Sequence, residues 1–245
     1  MSTPQILATS GGFVNGPVQM SVRLGQMMLD GLARTKKDRP RVCLVYTALG
    51  DPAQYYAMSY EAFNAAGCDV TELKLFPQPS ADPSERLLGS DFVWVGGGSV
   101  ANLLALWRLH GVDVAMREAW ENGVILGGVS AGSLCWHLGG TTDSYGPTLQ
   151  PVTNGLGFLP YANGVHFDSE AQRRPLLHQL MKDATLAPLA YATDDRTGIW
   201  YEGVEATTVV ADVEVSPDDG PAAYRLELVG GDVTETRVGV GGRFS

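Results

Sequence analysis

A doubly wound, mostly parallel α/β sheet with flanking helices and antiparallel C-terminal edge strands is the fold class the sequence predicts, as a single domain over residues 1–245. Two patterns predict it. Short apolar runs alternate with stretches of helical period through the first half of the chain, and two of those runs end directly in glycine-rich turns. Strand, turn and helix repeated in this way imply parallel strands joined by right-handed crossovers. Ligands of such sheets sit at the carboxyl ends of the strands.

Ile6-Leu7-Ala8 is a first strand, ending in Gly11-Gly12. Residues 21–36 place Val22, Leu24, Met27, Met28 and Leu32 on one face and predict a helix. Residues 41–47 read as a buried strand, 53–66 as a helix stopped by Gly67, and 70–76 as the next strand. Phe92-Val93-Trp94-Val95 runs into Gly96-Gly97-Gly98, after which residues 100–109 resume the helical period. Residues 124–129 predict a strand and 131–138 the helix leaving it. Both glycine-rich turns, 96–98 and 127–132, therefore open onto one edge. From 139 to 171 the periodicity fades into Gly, Pro, Thr, Asn and Tyr, too long a stretch for a simple connection, which predicts a functional segment. A helix over about 175–182 follows. Short strands at 189–193, 198–202, 207–213, 223–229 and 233–238 complete the chain, alternating in pattern and so antiparallel at the sheet edge.

Composition narrows the function. The 245 residues are 44% hydrophobic and 18% charged, with a formal net charge of −10. That balance argues against nucleic acid, whose binding needs Lys and Arg to displace counterions. The three cysteines, Cys43, Cys68 and Cys135, are odd in number and form no CxxC pair, which fits a reducing compartment. No signal-peptide pattern and no apolar run of about 18 residues is visible, so the expectation is a cytoplasmic protein without a membrane partner. No metal-ligand spacing occurs, and no cofactor is implied.

Gly128-Val129-Ser130-Ala131-Gly132 is a G-x-S-x-G run between a strand and a helix. Such an elbow is tight enough to demand small neighbours and lifts the serine hydroxyl out of the backbone. Ser130 is therefore the expected nucleophile. The helix starting at Ala131 would aim free N–H groups at developing negative charge, and Gly96-Gly97-Gly98 could supply a second donor. The bland alternative is a glycine-rich turn of the kind that recurs in any doubly wound sheet.

A serine nucleophile needs a base, and the base an orienting acid. His110 ends a helix beside Gly111, and His178 lies within a helical stretch. His137 is two turns beyond Ser130 on the outgoing helix, roughly 10 Å away. His166, in the irregular segment, remains. Asp143 lies between nucleophile and base and is the preferred acid. Asp168 and Glu170, so close in sequence to His166, are the alternatives. Asp194-Asp195 opens a loop and reads as a solvated turn or a contact for a substrate amine.

The run Ile125-Leu126-Gly127-Gly128-Val129-Ser130-Ala131-Gly132-Ser133, preceded by Val95-Gly96-Gly97-Gly98 and followed by Thr142-Asp143-Ser144, residues 155–160 and Val165-His166-Phe167, resembles the peptidase E family of serine peptidases, which includes aspartyl dipeptidases and cyanophycinases. The resemblance spans residues 5–203. It implies a class I glutamine-amidotransferase-like fold, Ser130 as nucleophile, His166 as base, Asp143 as orienting acid, and N–H groups near Gly98 and Ala131 as the oxyanion hole. Gly97, Ser99, Glu170 and Arg173 are the positions where substrate contact is expected. Three departures stand out: Ser99 replaces the usual Asn, Val165 the usual Pro, and Glu170 the Arg that pairs with an N-terminal aspartate. A carboxylate cannot replace that guanidinium without reversing the charge preference, which argues against strict Asp-X specificity unless Arg173 or Arg174 stands in. The expected partner is a small peptide, and the reading allows a homodimer. Its rivals are a cyanophycinase-like exopeptidase, an esterase, or a non-catalytic small-molecule-binding protein of the same fold.

Overall fold

The computed structural model describes residues 3–17 and 21–244. Along the chain run β1 (Gln5–Thr9), β2 (Phe13–Asn15), β3 (Val22–Leu24), α1 (Gln26–Arg34), β4 (Arg41–Val45), α2 (Ala53–Ala65), β5 (Asp69–Glu72), α3 (Pro83–Leu88), β6 (Phe92–Val95), α4 (Val100–His110), α5 (Val112–Glu121), β7 (Ile125–Val129) and α6 (Ala131–Leu134). Then follow β8 (His137–Thr142), β9 (Gln150–Val152), β10 (Leu159–Gly164), α7 (Arg173–Lys182), β11 (Leu189–Thr193), β12 (Thr197–Glu202), β13 (Glu205–Ala211), β14 (Ala222–Val229) and β15 (Asp232–Gly239).

A seven-stranded sheet of order β13-β12-β1-β7-β6-β4-β5 forms the centre. The strands from β1 to β5 in that order are mutually parallel, and β12 and β13 add antiparallel at the edge. Of the parallel strands, β1, β4, β6 and β7 are buried on both faces, so their apolar runs divide by alternation. Ile6, Cys43, Val45, Val93 and Val95 join Leu103, Trp107 and Met116 of α4 and α5 on one side. Leu7, Val42, Leu44, Phe92 and Trp94 meet Met27, Met28 and Phe63 of α1 and α2 on the other.

Four sequence expectations differ from the structure. Of the C-terminal strands expected antiparallel at the sheet edge, β11 runs parallel to β10, and β11, β14 and β15 belong to a second sheet. Residues 139–171 are not irregular: β8, β9 and β10 lie within or across that stretch and belong to a second, six-stranded sheet of order β15-β14-β11-β10-β8-β9. Its one face shares a core with the central sheet through Leu159, Tyr191 and Ala223, and α7 covers the other. The helix expected over 131–138 is one turn long, because the chain enters β8 at His137. The helix expected from residue 21 starts at Gln26, since Val22–Leu24 pairs with Phe13–Asn15 as a hairpin. No helix among the described residues is long and apolar enough to cross a membrane.

Candidate active site

β7 lies between β1 and β6, and Ser130 is the first residue past its carboxyl end. Ser130 has φ 56° and ψ −109°, a left-handed φ that few residues other than glycine adopt. Its N–H donates to the Thr9 carbonyl on β1 at 3.0 Å, and its carbonyl accepts from Ser133 and Leu134. The turn closes only because its neighbours lack side chains: a Cβ on Gly128 would collide with the Gly132 carbonyl, and one on Gly132 with the Val95 carbonyl. The 96–98 turn lies against the serine, with a Cβ on Gly97 falling 3.3 Å from Ser130 Cβ and 3.9 Å from its Oγ. Among the described residues, nothing accepts the N–H groups of Gly97, Gly98 or Ala131. Ser99 is committed elsewhere: its Oγ caps α4 by accepting the Asn102 N–H at 3.2 Å, and its own N–H reaches the Ala48 carbonyl.

His166 follows β10 by two residues, also at a positive φ of 52°. Its Nδ1 is 2.5 Å from Oδ1 of Asp195. A carboxylate only accepts, so Nδ1 carries the proton and Nε2 is left as the basic nitrogen. The side chains are 23% and 42% exposed, sheltered enough to stay oriented and open enough to meet a ligand.

Asp195, not Asp143, thus holds the histidine. β8 and β11 both run parallel beside β10, so either could deliver an acid to this edge. After β8, however, Thr142 and Ser144 hydroxyls bond each other at 2.7 Å, and Ser144 Oγ accepts the Ala101 N–H of α4. That turn leaves Asp143 in solvent, with no side-chain hydrogen bond among the described residues. Asp168 serves as a brace instead of a ring partner: its Oδ1 accepts the Asp195 N–H at 2.8 Å. Asp194 is buried, its Oδ2 taking the Ala222 N–H and the Tyr224 hydroxyl, and burial raises its carboxyl above the usual range.

The expected substrate residues beyond His166 are occupied. Arg173 is buried, donating from Nε to Glu170 at 2.8 Å and from a terminal nitrogen to the Thr141 carbonyl. It ties α7 to β8 and offers nothing to a ligand, a correction to its expected role, while Glu170 is its partner. Arg174 pairs with Glu235 and lies over the Phe167 and Tyr224 rings. Of the other histidines, His178 bonds Glu235 and His110 ends α4. His137 is wholly buried, Nδ1 on the Ser133 carbonyl at 2.9 Å and Nε2 3.4 Å from the Tyr201 hydroxyl, and burial pushes its pKa down to about 4. Cys135 is buried and its thiol pushed well up, the opposite of a reactive thiolate. Among the described residues, no three His, Cys, Asp or Glu side chains are grouped to hold a metal ion.

Asp195, read from the sequence as part of a solvated turn or a substrate-amine contact, is the His166 partner that sequence reasoning missed. A parallel pairing of 159–164 with 189–193 would have brought the Asp194-Asp195 turn beside His166.

Comparison with known proteins places the chain in a family. The model of peptidase family S51 matches residues 6–209. A Bacillus subtilis (strain 168) protein described as an uncharacterized peptidase, YgaJ, is 37% identical over 232 residues, which are 94% of this chain and 95% of that one. Peptidase E of Shewanella denitrificans is 27% identical over 61% of this chain and 65% of its own. Among solved structures, a peptidase from an acI-B1 Actinobacterium superposes with a TM-score of 0.72 at 14% identity, covering 99% of this chain and 97% of that one. A putative peptidase E protein from Listeria monocytogenes EGD-e gives 0.60 at 16% identity, over 86% and 99%. These last two show the fold. With its family model matched across both sheets, from β1 to β13, the chain belongs to peptidase family S51.

Proposed function

We propose that the protein is a serine-type peptidase of small peptides, working through an acyl-enzyme on Ser130 with His166 as general base and Asp195 as its orienting acid. The 2.5 Å bond from His166 Nδ1 to Asp195, with His166 N–H bonded to Ser10 and Ser130 N–H to the adjacent Thr9 carbonyl, supports this reading. The Ser130 hydroxyl gives its proton to His166 Nε2 as its oxygen attacks the peptide carbonyl. The resulting oxyanion would be held by N–H groups of the 96–98 turn and Ala131, donors for which the described residues supply no acceptor. His166 then protonates the leaving amine, and water repeats the sequence to free the acid. Asp195 keeps the ring in the tautomer that makes Nε2 basic and stabilises the imidazolium.

The same residues argue against strict Asp-X specificity, since the two arginines beyond His166 are held by Glu170 and Glu235.

A fluorophosphonate probe tests the nucleophile. Wild type should label at neutral pH and Ser130→Ala should not; equal labelling sinks the proposal. A dipeptide panel scored by N-terminal residue should show no preference for aspartate. A strong Asp-X preference would refute this account of the specificity.

A further inference from the structure

Ser10 is the first residue past the carboxyl end of β1 and is buried. Every polar group it has is used, and each use falls on a loop that carries part of the proposed catalytic machinery. Its Oγ accepts the backbone N–H of His166 at 3.0 Å. The same Oγ lies 2.7 Å from the Thr193 hydroxyl and 3.2 Å from the Thr193 carbonyl, two residues before Asp195. Its N–H donates to the Thr197 carbonyl at 2.8 Å, and its carbonyl accepts the Arg196 N–H at 3.0 Å, so both backbone bonds close on the turn that presents Asp195. The residue before it, Thr9, accepts the Ser130 N–H.

We infer that Ser10 is a positioning residue, the junction that fixes the His166 and Asp195 loops on the strand that also anchors Ser130. The inference rests on the Ser130, His166 and Asp195 reading. Its physical basis is the strain at His166. A non-glycine residue at φ 52° persists only where its surroundings hold it there. The Ser10 hydroxyl supplies the acceptor for that residue's own N–H. Without the hydroxyl, the backbone bonds of Ser10 still hold the Asp195 turn, but the histidine loses its anchor and can relax. A displacement of about 1 Å in a catalytic group can lower turnover roughly a hundredfold. The role is distinct from that of Asp168, which braces the acid through the Asp195 N–H and leaves the histidine backbone untouched.

The test is fluorophosphonate labelling, resolved into the maximal rate and the half-saturating probe concentration, together with the low-field proton NMR signal of the His166 Nδ1–H. In Ser10→Ala the maximal rate should fall roughly tenfold to a hundredfold with half-saturation within about twofold of wild type, and the low-field signal should weaken or vanish. Ser10→Thr, which keeps the hydroxyl oxygen, should recover most of the rate. Thr193→Val removes one partner of the Ser10 hydroxyl and should lower the rate by a smaller factor, which keeps the test open should Ser10→Ala fail to fold. Unchanged rate and unchanged signal in Ser10→Ala, or in Thr193→Val where only that variant folds, overturns the inference. So does a loss in Ser10→Ala that appears only in half-saturation. Wild type labelling no faster than Ser130→Ala would instead bring down the nucleophile assignment beneath it.

Discussion

The turn that presents Ser130 and the corner that presents His166 each hold a non-glycine residue at positive φ, 56° and 52°, yet they are stabilised by different means. Around Ser130 the constraint is volume. Glycines at 128 and 132 let the one-turn α6 fold back against β6 and β7, and the bonds that close the elbow run between backbone groups. Around His166 the constraint is polar. A serine hydroxyl, two aspartates and a threonine, from the end of β11 and the loops beyond β1, β10 and β11, meet there through side-chain bonds. The elbow should therefore resist changes of polarity nearby and fail when a side chain grows. The corner should fail when a single polar atom is replaced at constant size.

The largest expected effect breaks the corner. Asp195→Asn keeps the shape of the side chain but no longer demands a proton on Nδ1, so the ring can present the wrong tautomer to Ser130. Turnover should fall by about 10⁴-fold. Asp143→Asn changes an exposed side chain on the Thr142–Ser144 turn and should stay within about twofold. Kinetics of the two variants side by side, on a peptide that wild type cleaves, settle which carboxylate works. A collapse in Asp143→Asn with Asp195→Asn spared would reverse the assignment made from the 2.5 Å contact.

The same contrast explains what the sequence could reveal. An elbow is built from neighbours in the chain, so G-x-S-x-G after an apolar strand exposed both Ser130 and the reason for its small flanking residues. The parallel order around β7 followed from the strand and helix periods for the same reason. The corner is assembled across 29 residues, from His166 to Asp195, by the pairing of β10 with β11. β10 reads Leu-Pro-Tyr-Ala-Asn-Gly, a poor strand by local preference. It forms because distant groups complete it. The Asn163 side chain accepts from the Ser133 hydroxyl and donates to the Tyr191 carbonyl, both at 3.0 Å. With that strand invisible, Asp195 reads as part of a solvated turn or a substrate-amine contact, and Asp143, between nucleophile and base, as the preferred acid. The one-turn α6 had a similar cause. Residues 131–138 are compatible with a helix, but the Ser133 carbonyl bonds the His137 ring while His137 itself opens β8, where it pairs with Leu159.

His137 gives the smallest and most separable effect, because it lies on the Ser130 side of the comparison and should matter to stability rather than to proton transfer. The folded protein keeps the ring neutral down to about pH 4, whereas the unfolded chain takes up a proton near its ordinary 6.5. Stability is therefore lost as pH falls through that window, since only the unfolded state gains the proton. Asp212 works in the opposite sense: burial raises its carboxyl to about 6, so the folded state binds that proton first and gains stability on acidification. Comparing wild type with His137→Gln cancels the Asp212 contribution, which both share. Between pH 7.5 and 4.5 the difference in urea unfolding free energy should move in favour of the variant by about 2.5 kcal/mol. Labelling of Ser130 by the fluorophosphonate at neutral pH should meanwhile stay close to wild type. A difference that does not change with pH would show that the His137 ring titrates alike in the folded and unfolded chains. Loss of labelling in the folded variant would return it to the list of candidate bases.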